Sequence, residues 1–391
     1  MKIIGYTNDS YPERRTIING NLHELKKIKS LNLYYIGAAL KRLPYFGNKA
    51  NTVFLEKILS PNSVDGFHFS NSITDAKVPW ISTFETFIPR TTNMAFLNES
   101  SSEKEKERDL KKAEYYIRLI ASDYCKKIIS LSKSNLEMQT YFLSFFPEYK
   151  DTIHKKMLHL APPQKKICSK DKILNKKTNN VLKFLFVGKD FVRKGGREIV
   201  DVFYQIEKET DFEFELKLVS LGKTDNYAFG MWQDSEEENK GMFDKIYQSE
   251  KITLIKQVEN PILLQMMKET DVGLLPTWAD TYGYSVLEFQ ASGCPVITTN
   301  IRALPEINNE ELGWMINLET DHFKEIRILN EEEKNKHRIE LQRQLKFIVL
   351  EILKHPERVK EKAVLSYDNV SSKNSVENYM LQLSKIYEEN F

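Results

Sequence analysis

Apolar positions in this chain come mostly in short runs set between turn residues, and most runs are followed by a stretch with helical spacing. The second half is the more regular. Residues 181–187 (VLKFLFV), 213–221, 251–255, 272–275, 296–299 and 314–316 read as strands. Between them, residues 196–207, 262–269 and 286–291 carry a helical period. Strand and helix in alternation predict a parallel sheet covered on both faces. In the first half, residues 2–6, 33–36, 66–69, 80–84 and 127–131 read as strands, and 51–59 and 101–122 as helices. The last of these opens with SSEKEKERDLKKAE, whose mixed charges can pair four residues apart. The tail, 375–391, has apolar residues at helical spacing.

Between the two halves lies PPQKKICSKDKILNKKTNN, residues 162–180, polar and rich in lysine. It reads as a linker over 166–180. The expected organisation is α/β: a domain over 1–165, a second over 181–374, and a terminal helix over 375–391. A length of 391 residues suits two or three domains at roughly 150 residues each. Three distant cysteines, Cys125, Cys168 and Cys294, do not make a disulfide framework or a zinc site. No apolar run approaches the roughly 18 residues of a membrane span, and the first residues lack a signal-peptide core. The expected location is the cytoplasm.

Charge changes the picture further. Residues 1–172 hold 28 lysines and arginines against 18 acidic residues. The chain totals are 57 and 55, so the remainder holds 29 against 37. A basic front and an acidic back suggest two domains with different partners, the front suited to an anionic surface. The absence of an Arg/Gly or aromatic-basic repeat argues against a nucleic-acid module.

Two segments could carry chemistry. In FLFVGKDFVRKGGREI a buried strand ends at Gly188, and Lys189, Arg193 and Lys194 lead through Gly195-Gly196 into a helix. Ligands of open parallel sheets bind beyond the carboxyl ends of strands. A helix N-terminus there offers free N–H groups and a positive dipole to an anion. The nearby cations would neutralise a diphosphate. A plain strand-to-helix turn with solvated lysines would use the same residues. The P-loop spacing is absent.

The second segment is PTWADTYGYSVLEFQASGCPVITTNIRALPEI, residues 276–307. Another buried strand ends, Asp280 lies in the loop, and Gly283 precedes a helix whose first amides belong to Tyr284, Ser285 and Val286. Glu288 sits about one turn in, roughly 7–8 Å along the axis. Two carboxylates so placed can each grip vicinal hydroxyls, one pair on a sugar and one on a ribose. As alternatives, Asp280 could be a turn residue and Glu288 a solvated helix residue.

DTYGYSVLEFQASGCPVI resembles the E-x7-E segment of retaining family 4 glycosyltransferases, which have the GT-B fold, and VGKDFVRKGG resembles their phosphate-binding loop. The likeness covers about 181–317. It is weaker before that, where ASDYCKKIISLSKSN (121–135) is similar to the close of the family's front domain. The resemblance implies two Rossmann-like domains facing each other across a cleft, with the last helix crossing back. It assigns Asp280 to the donor sugar hydroxyls, Glu288 to the ribose, and Lys189 with Lys194 to the diphosphate, with Arg193 beside them. Asp280 stands where the family has Glu, one methylene longer. Glu85 stands where the family often has His, so that role does not transfer; Glu85 could orient an acceptor hydroxyl or act as base. His68, near a strand end, is a second catalytic candidate.

No two aspartates are two residues apart, so the D-x-D metal pair of the other main glycosyltransferase fold is absent, and no metal or cofactor is expected. The expected activity is transfer of a hexose from a nucleoside-diphosphate sugar, a UDP-sugar first among these, to a hydroxyl of a glycan or lipid-linked acceptor with retention. The expected setting is bacterial surface polysaccharide synthesis, at the inner membrane face. The mixed apolar and basic segment 33–59 reads equally as an interfacial segment or a core helix with a basic side. A nucleotide-sugar epimerase on the same fold, or a non-catalytic nucleotide-sugar-binding partner, are the alternatives.

Overall fold

Both large sheets of the protein are parallel throughout. The computed structural model describes residues 1–18, 22–41, 52–91, 94–97, 101–176, 181–221 and 234–391. Contacts divide the chain into two units, Met1–Pro163 with Val376–Phe391, and Gln164–Ser375.

The first unit contains β1 (Ile3–Tyr6), β2 (Glu24–Lys27), β3 (Ser30–Asn32), β4 (Leu55–Ile58), β5 (Gly66–Ser70), β6 (Ile73–Thr74), β7 (Trp80–Phe84), β8 (Cys125–Ser130) and β9 (Met157–His159). Its large sheet runs β2-β1-β5-β7-β8-β9, and β3-β4-β6 form a small one. Side chains alternate across a strand, so Phe67, Phe69, Trp80 and Phe84 fill one core with Ile117 and Phe142. Ile4, Ile81 and Ile129 face the other way, onto Tyr379, Leu383 and Tyr387 of the terminal helix Val376–Asn390. That helix therefore belongs to the first unit although it is last in sequence.

Two expectations fail in this unit. Residues 33–36 begin a helix, Leu33–Lys41, with the Tyr34 N–H bonded to Asn32 Oδ1 at 2.9 Å. An apolar run this short does not distinguish strand from helix, and the preceding Asn decides it. Residues 55–58 form β4 rather than part of a helix, with Leu55 in the core. Of the segment 33–59, residues 42–51 lie outside the described residues; Tyr35 and Ile36 are exposed on their helix. No helix among the described residues is long and apolar enough to cross a membrane.

The second unit holds β10 (Leu182–Val187), β11 (Phe214–Val219), β12 (Ile252–Ile255), β13 (Val272–Leu275), β14 (Val296–Thr299) and β15 (Trp314–Ile316). Their order is β12-β11-β10-β13-β14-β15. The chain works outward from β10 to β12, then returns to the far side of β10. The first strand thus has β11 on one side and β13 on the other, which is the topological switch point of a Rossmann-type sheet. The run 272–275, buried at every position, is what burial on both faces requires, and β10 differs from it by the half-buried Lys183 and Val187.

The expected linker is corrected by the packing. The amides of Ile167 and Cys168 bond to the Ala291 carbonyl at 3.0 and 3.3 Å. Helix Lys170–Leu174 follows, with Ile173 buried against Ala363 and Tyr367. The division therefore falls between Pro163 and Gln164. Lys165, Lys166, Lys170 and Lys172 are exposed, while Ile173 is buried and Lys176 pairs with Asp271 at 2.9 Å, so the average polarity of this stretch conceals a packed element. Residues 177–180 lie outside the described residues.

Candidate functional site

Nine of the eleven candidate residues belong to two loops at the carboxyl ends of β10 and β13 and to the helix Tyr284–Ala291 that follows the second. The first loop leaves β10 after Val187. Phe191 and Val192 are fully buried and pin it to the core, with Lys189 left exposed and Arg193 and Lys194 half-buried. The amides of Gly195 and Gly196 bond back to the carbonyls of Val192 and Phe191, both at 2.9 Å. Gly195 caps helix Gly196–Glu209 at φ 83°, a left-handed conformation that favours glycine. A Cβ there would lie 2.1 Å from the Pro276 carbonyl oxygen.

That close approach joins the first loop to the second. The Trp278 N–H donates to the Arg193 carbonyl at 2.8 Å. The Thr277 hydroxyl is shared between the carbonyls of Arg193 (3.1 Å) and Ala279 (2.9 Å). Thr299 Oγ1, at the end of β14, donates to the Thr277 carbonyl at 2.7 Å. The second loop ends at Gly283, which caps helix Tyr284–Ala291 at φ 93°; a Cβ there would meet Leu304 Cδ2 at 2.5 Å.

Charge is concentrated where the loops meet. Lys194 Nζ lies 2.6 Å from Asp280 Oδ2, with 17% and 14% of the two side chains exposed. Burial pushes the Asp280 carboxyl up, but the Lys194 ammonium, the Thr281 backbone N–H and Arg193 together outweigh it and hold the carboxyl below its usual range. Arg193 pairs with Asp190, and its Nη1 lies 3.5 Å from the Ala279 carbonyl. Lys189 is exposed. Glu288 is half-buried one turn into its helix. Two helix N-termini, three cations and two carboxylates at a switch point can receive an anion flanked by hydroxyl groups.

The second helix offers fewer amides than the sequence suggested. The Val286 N–H is bonded to the Gly283 carbonyl at 2.9 Å and its side chain is buried in the core. Val286 is therefore a packing residue, and the first turn is left with Tyr284 and Ser285.

His68 and Glu85 belong to the first unit. His68 is fully buried on the sheet face that the terminal helix covers. Its Nδ1 lies 2.7 Å from the Tyr387 hydroxyl and its Nε2 2.6 Å from the Thr83 hydroxyl. Burial pushes its pKa down to about 3. With both ring nitrogens taken and no solvent face, His68 is a structural residue, which corrects its placement as a catalytic candidate. Glu85 follows β7. Its N–H donates to Asn71 Oδ1 at 3.0 Å and its carbonyl accepts from Asn135 Nδ2. Asn71 adopts the left-handed region at φ 56°.

Three residues of the second unit escaped the sequence reading. Thr277 ties together the ends of β10, β13 and β14, and its only signal was a hydroxyl directly after a buried strand. Trp278, two residues before Asp280, is buried beneath the loop. Glu198, in the first turn of helix Gly196–Glu209, is fully buried.

Residues 182–327 match the sequence profile of the family "Glycosyl transferases group 1". A capsular polysaccharide biosynthesis glycosyltransferase, CapM of Staphylococcus aureus, is 29% identical over 142 residues, 36% of this chain and 33% of that protein. The chain thus spans about a third of the length of the curated relatives it matches. Among solved structures, a glycosyltransferase from Rickettsia africae superposes with a TM-score of 0.59 at 14% identity, over 99% of this chain and 98% of the other. HepE of Anabaena, in complex with UDP and glucose, gives 0.56 at 11% identity, over the whole of both chains. The fold is GT-B.

Proposed function

We propose that this chain is a glycosyltransferase that moves a hexose from a UDP-sugar to a hydroxyl of a glycan or lipid-linked acceptor, with retention at the anomeric carbon. One observation carries the reading: the Lys194–Asp280 pair, placed between two helix N-termini at the switch point of β10 and β13, inside the segment that matches the family profile. In this reading Lys189, Arg193 and Lys194 receive the diphosphate, helped by the first-turn amides of both helices. Glu288 takes the ribose hydroxyls and Asp280 those of the sugar. Charge that develops on the leaving diphosphate meets cations already in place, so the barrier falls without a metal ion. The choice of UDP follows HepE, and retention follows the resemblance to family 4.

The basic front half is assigned to the acceptor, with Glu85 orienting its hydroxyl. CapM places a related segment in capsular polysaccharide synthesis, and we extend that setting to this chain, at the cytoplasmic face of a membrane. The test is incubation with a panel of UDP-hexoses, followed by NMR of the products. Release or transfer of an α-configured sugar from an α-configured donor supports the reading. Epimerised donor without transfer would replace it with the epimerase alternative. UDP binding without turnover of any donor would favour a non-catalytic partner.

A further inference from the structure

Beneath the two loops lies a carboxylate that the proposed transfer does not use. Glu198 is fully buried and both of its oxygens fall short of full hydrogen-bond geometry. The indole N–H of Trp278 is near enough to favour its charged form, short of a full hydrogen bond. The helix that carries Glu198 is capped by Gly195, which presses on the Pro276 carbonyl, while Trp278 is tied to the Arg193 carbonyl. Movement of the indole would thus drag residues 276–280.

We propose that Glu198 is a positioning residue: through the Trp278 indole it sets the placement of Asp280 opposite Lys194. The proposal rests on the donor-site reading above, because it is the sugar contact of Asp280 that gives the placement a consequence. A packing role alone does not account for the choice of residue. An apolar side chain would fill the same space without burying a carboxylate whose oxygens are poorly matched.

The surroundings make the contact sensitive to pH. Burial raises the Glu198 carboxyl to about 7, against the opposing pull of Trp278 and its own backbone N–H. Asp201, three residues further along the helix, also raises it, and Arg338 of helix Glu331–Lys354 lowers it. Asp201 is itself paired with Lys245 at 2.5 Å. The adjacent Arg197 is engaged by Asp234 at 2.7 Å, in a cluster with Glu238 and Lys334. Ionisation strengthens the hold on the indole N–H and, because the charge is buried, costs stability.

The experiment compares the full-length wild type with Glu198→Gln and Trp278→Phe. The first readout is tryptophan fluorescence against pH without ligand. The wild type minus Trp278→Phe difference should titrate near pH 7, and Glu198→Gln should abolish that titration. The second readout pairs melting temperature with turnover. At pH 8, Glu198→Gln should melt higher than wild type, since the neutral amide removes a buried charge, and the two should converge at pH 5. Its kcat should nevertheless fall, by up to about 100-fold for a displacement near 1 Å, with UDP affinity within twofold of wild type. A titration that persists in Glu198→Gln, or is missing from the wild type, would overturn the proposal. So would equal losses of UDP affinity and kcat. If the wild type fails to bind UDP while the titration is present, the donor-site reading fails and the Glu198–Trp278 coupling stands.

Discussion

Lys194 and Asp280 belong to loops 86 residues apart in sequence, yet their charged atoms sit 2.6 Å apart. Their strands, β10 and β13, are neighbours only because the chain reverses direction across the sheet at this point. In the proposed reaction the donor has to divide the pair, taking Lys194 with its diphosphate and Asp280 with its sugar. The carboxylate therefore occupies the cation that the phosphate needs.

Replacing Asp280 with Asn should separate the two functions. Lys194 is released from its partner, so UDP should bind about fivefold more tightly, the equivalent of roughly 1 kcal/mol for a partly exposed pair. Transfer should fall by at least about 100-fold, as the sugar loses its charged acceptor of hydrogen bonds. Because the folded-state pKa of Asp280 lies below its usual value, the pair contributes fully above the unfolded-state pKa and is lost only as pH falls through the lower folded value. UDP affinity of the wild type should accordingly show no step from Asp280 between pH 5 and 8. Isothermal titration of both proteins with UDP checks these outcomes.

Gly195 is where the two loops touch, and Gly195→Ala should push them apart. The substitution combines a left-handed φ with a Cβ 2.1 Å from the Pro276 oxygen. A loss of about 2–4 kcal/mol in unfolding free energy is expected, together with weaker UDP binding. Urea denaturation gives the first number directly. A variant as stable as wild type would show that the loops can separate at no cost.

In the first unit, the buried neutral His68 should make stability fall in acid. Its folded pKa is about 3, below the usual histidine value of 6.5. The unfolded chain therefore binds the proton more readily between those values, and stability is lost as pH drops from about 6.5 towards 3. The loss is on the order of a few kcal/mol. Tyr387→Phe removes the hydroxyl at 2.7 Å and should cost about 1–3 kcal/mol at neutral pH. Thermal melts of wild type and variant across pH 4–8 test both statements.

The second unit is legible in the sequence because β13 and β14 are buried on both faces and stand as short runs between turn residues, while β11 (FELKLV) shows the alternation of a strand with one face half-covered. The runs 272–275, 296–299 and 314–316 coincide with β13, β14 and β15. The glycines at 195 and 283 marked the two helix starts for the same reason: the turns need left-handed residues. What escaped depends on contacts distant in sequence. β2 (ELKK) is an edge strand, largely exposed, and its lysines suit an edge that must not pair with another chain, so no apolar run marks it. In GFHFS the alternation places His68 opposite Phe67 and Phe69, but nothing nearby shows that Tyr387 covers that face. Glu198 occupies a helix first turn, where an acidic residue is ordinary, and sequence does not reveal that this one is buried.

The central claim is that the loops after β10 and β13 hold a nucleoside diphosphate without a metal ion. Thermal shift with UDP, GDP, ADP and CMP, each in EDTA or magnesium, on wild type and Glu288→Ala, tests it most directly. A nucleotide at about 100 times its dissociation constant stabilises by roughly 2.7 kcal/mol. The account predicts that UDP raises the melting temperature of the wild type equally in EDTA and magnesium, and that Glu288→Ala loses the shift. No shift with any nucleotide, a shift that needs magnesium, or a shift unchanged in Glu288→Ala would contradict it.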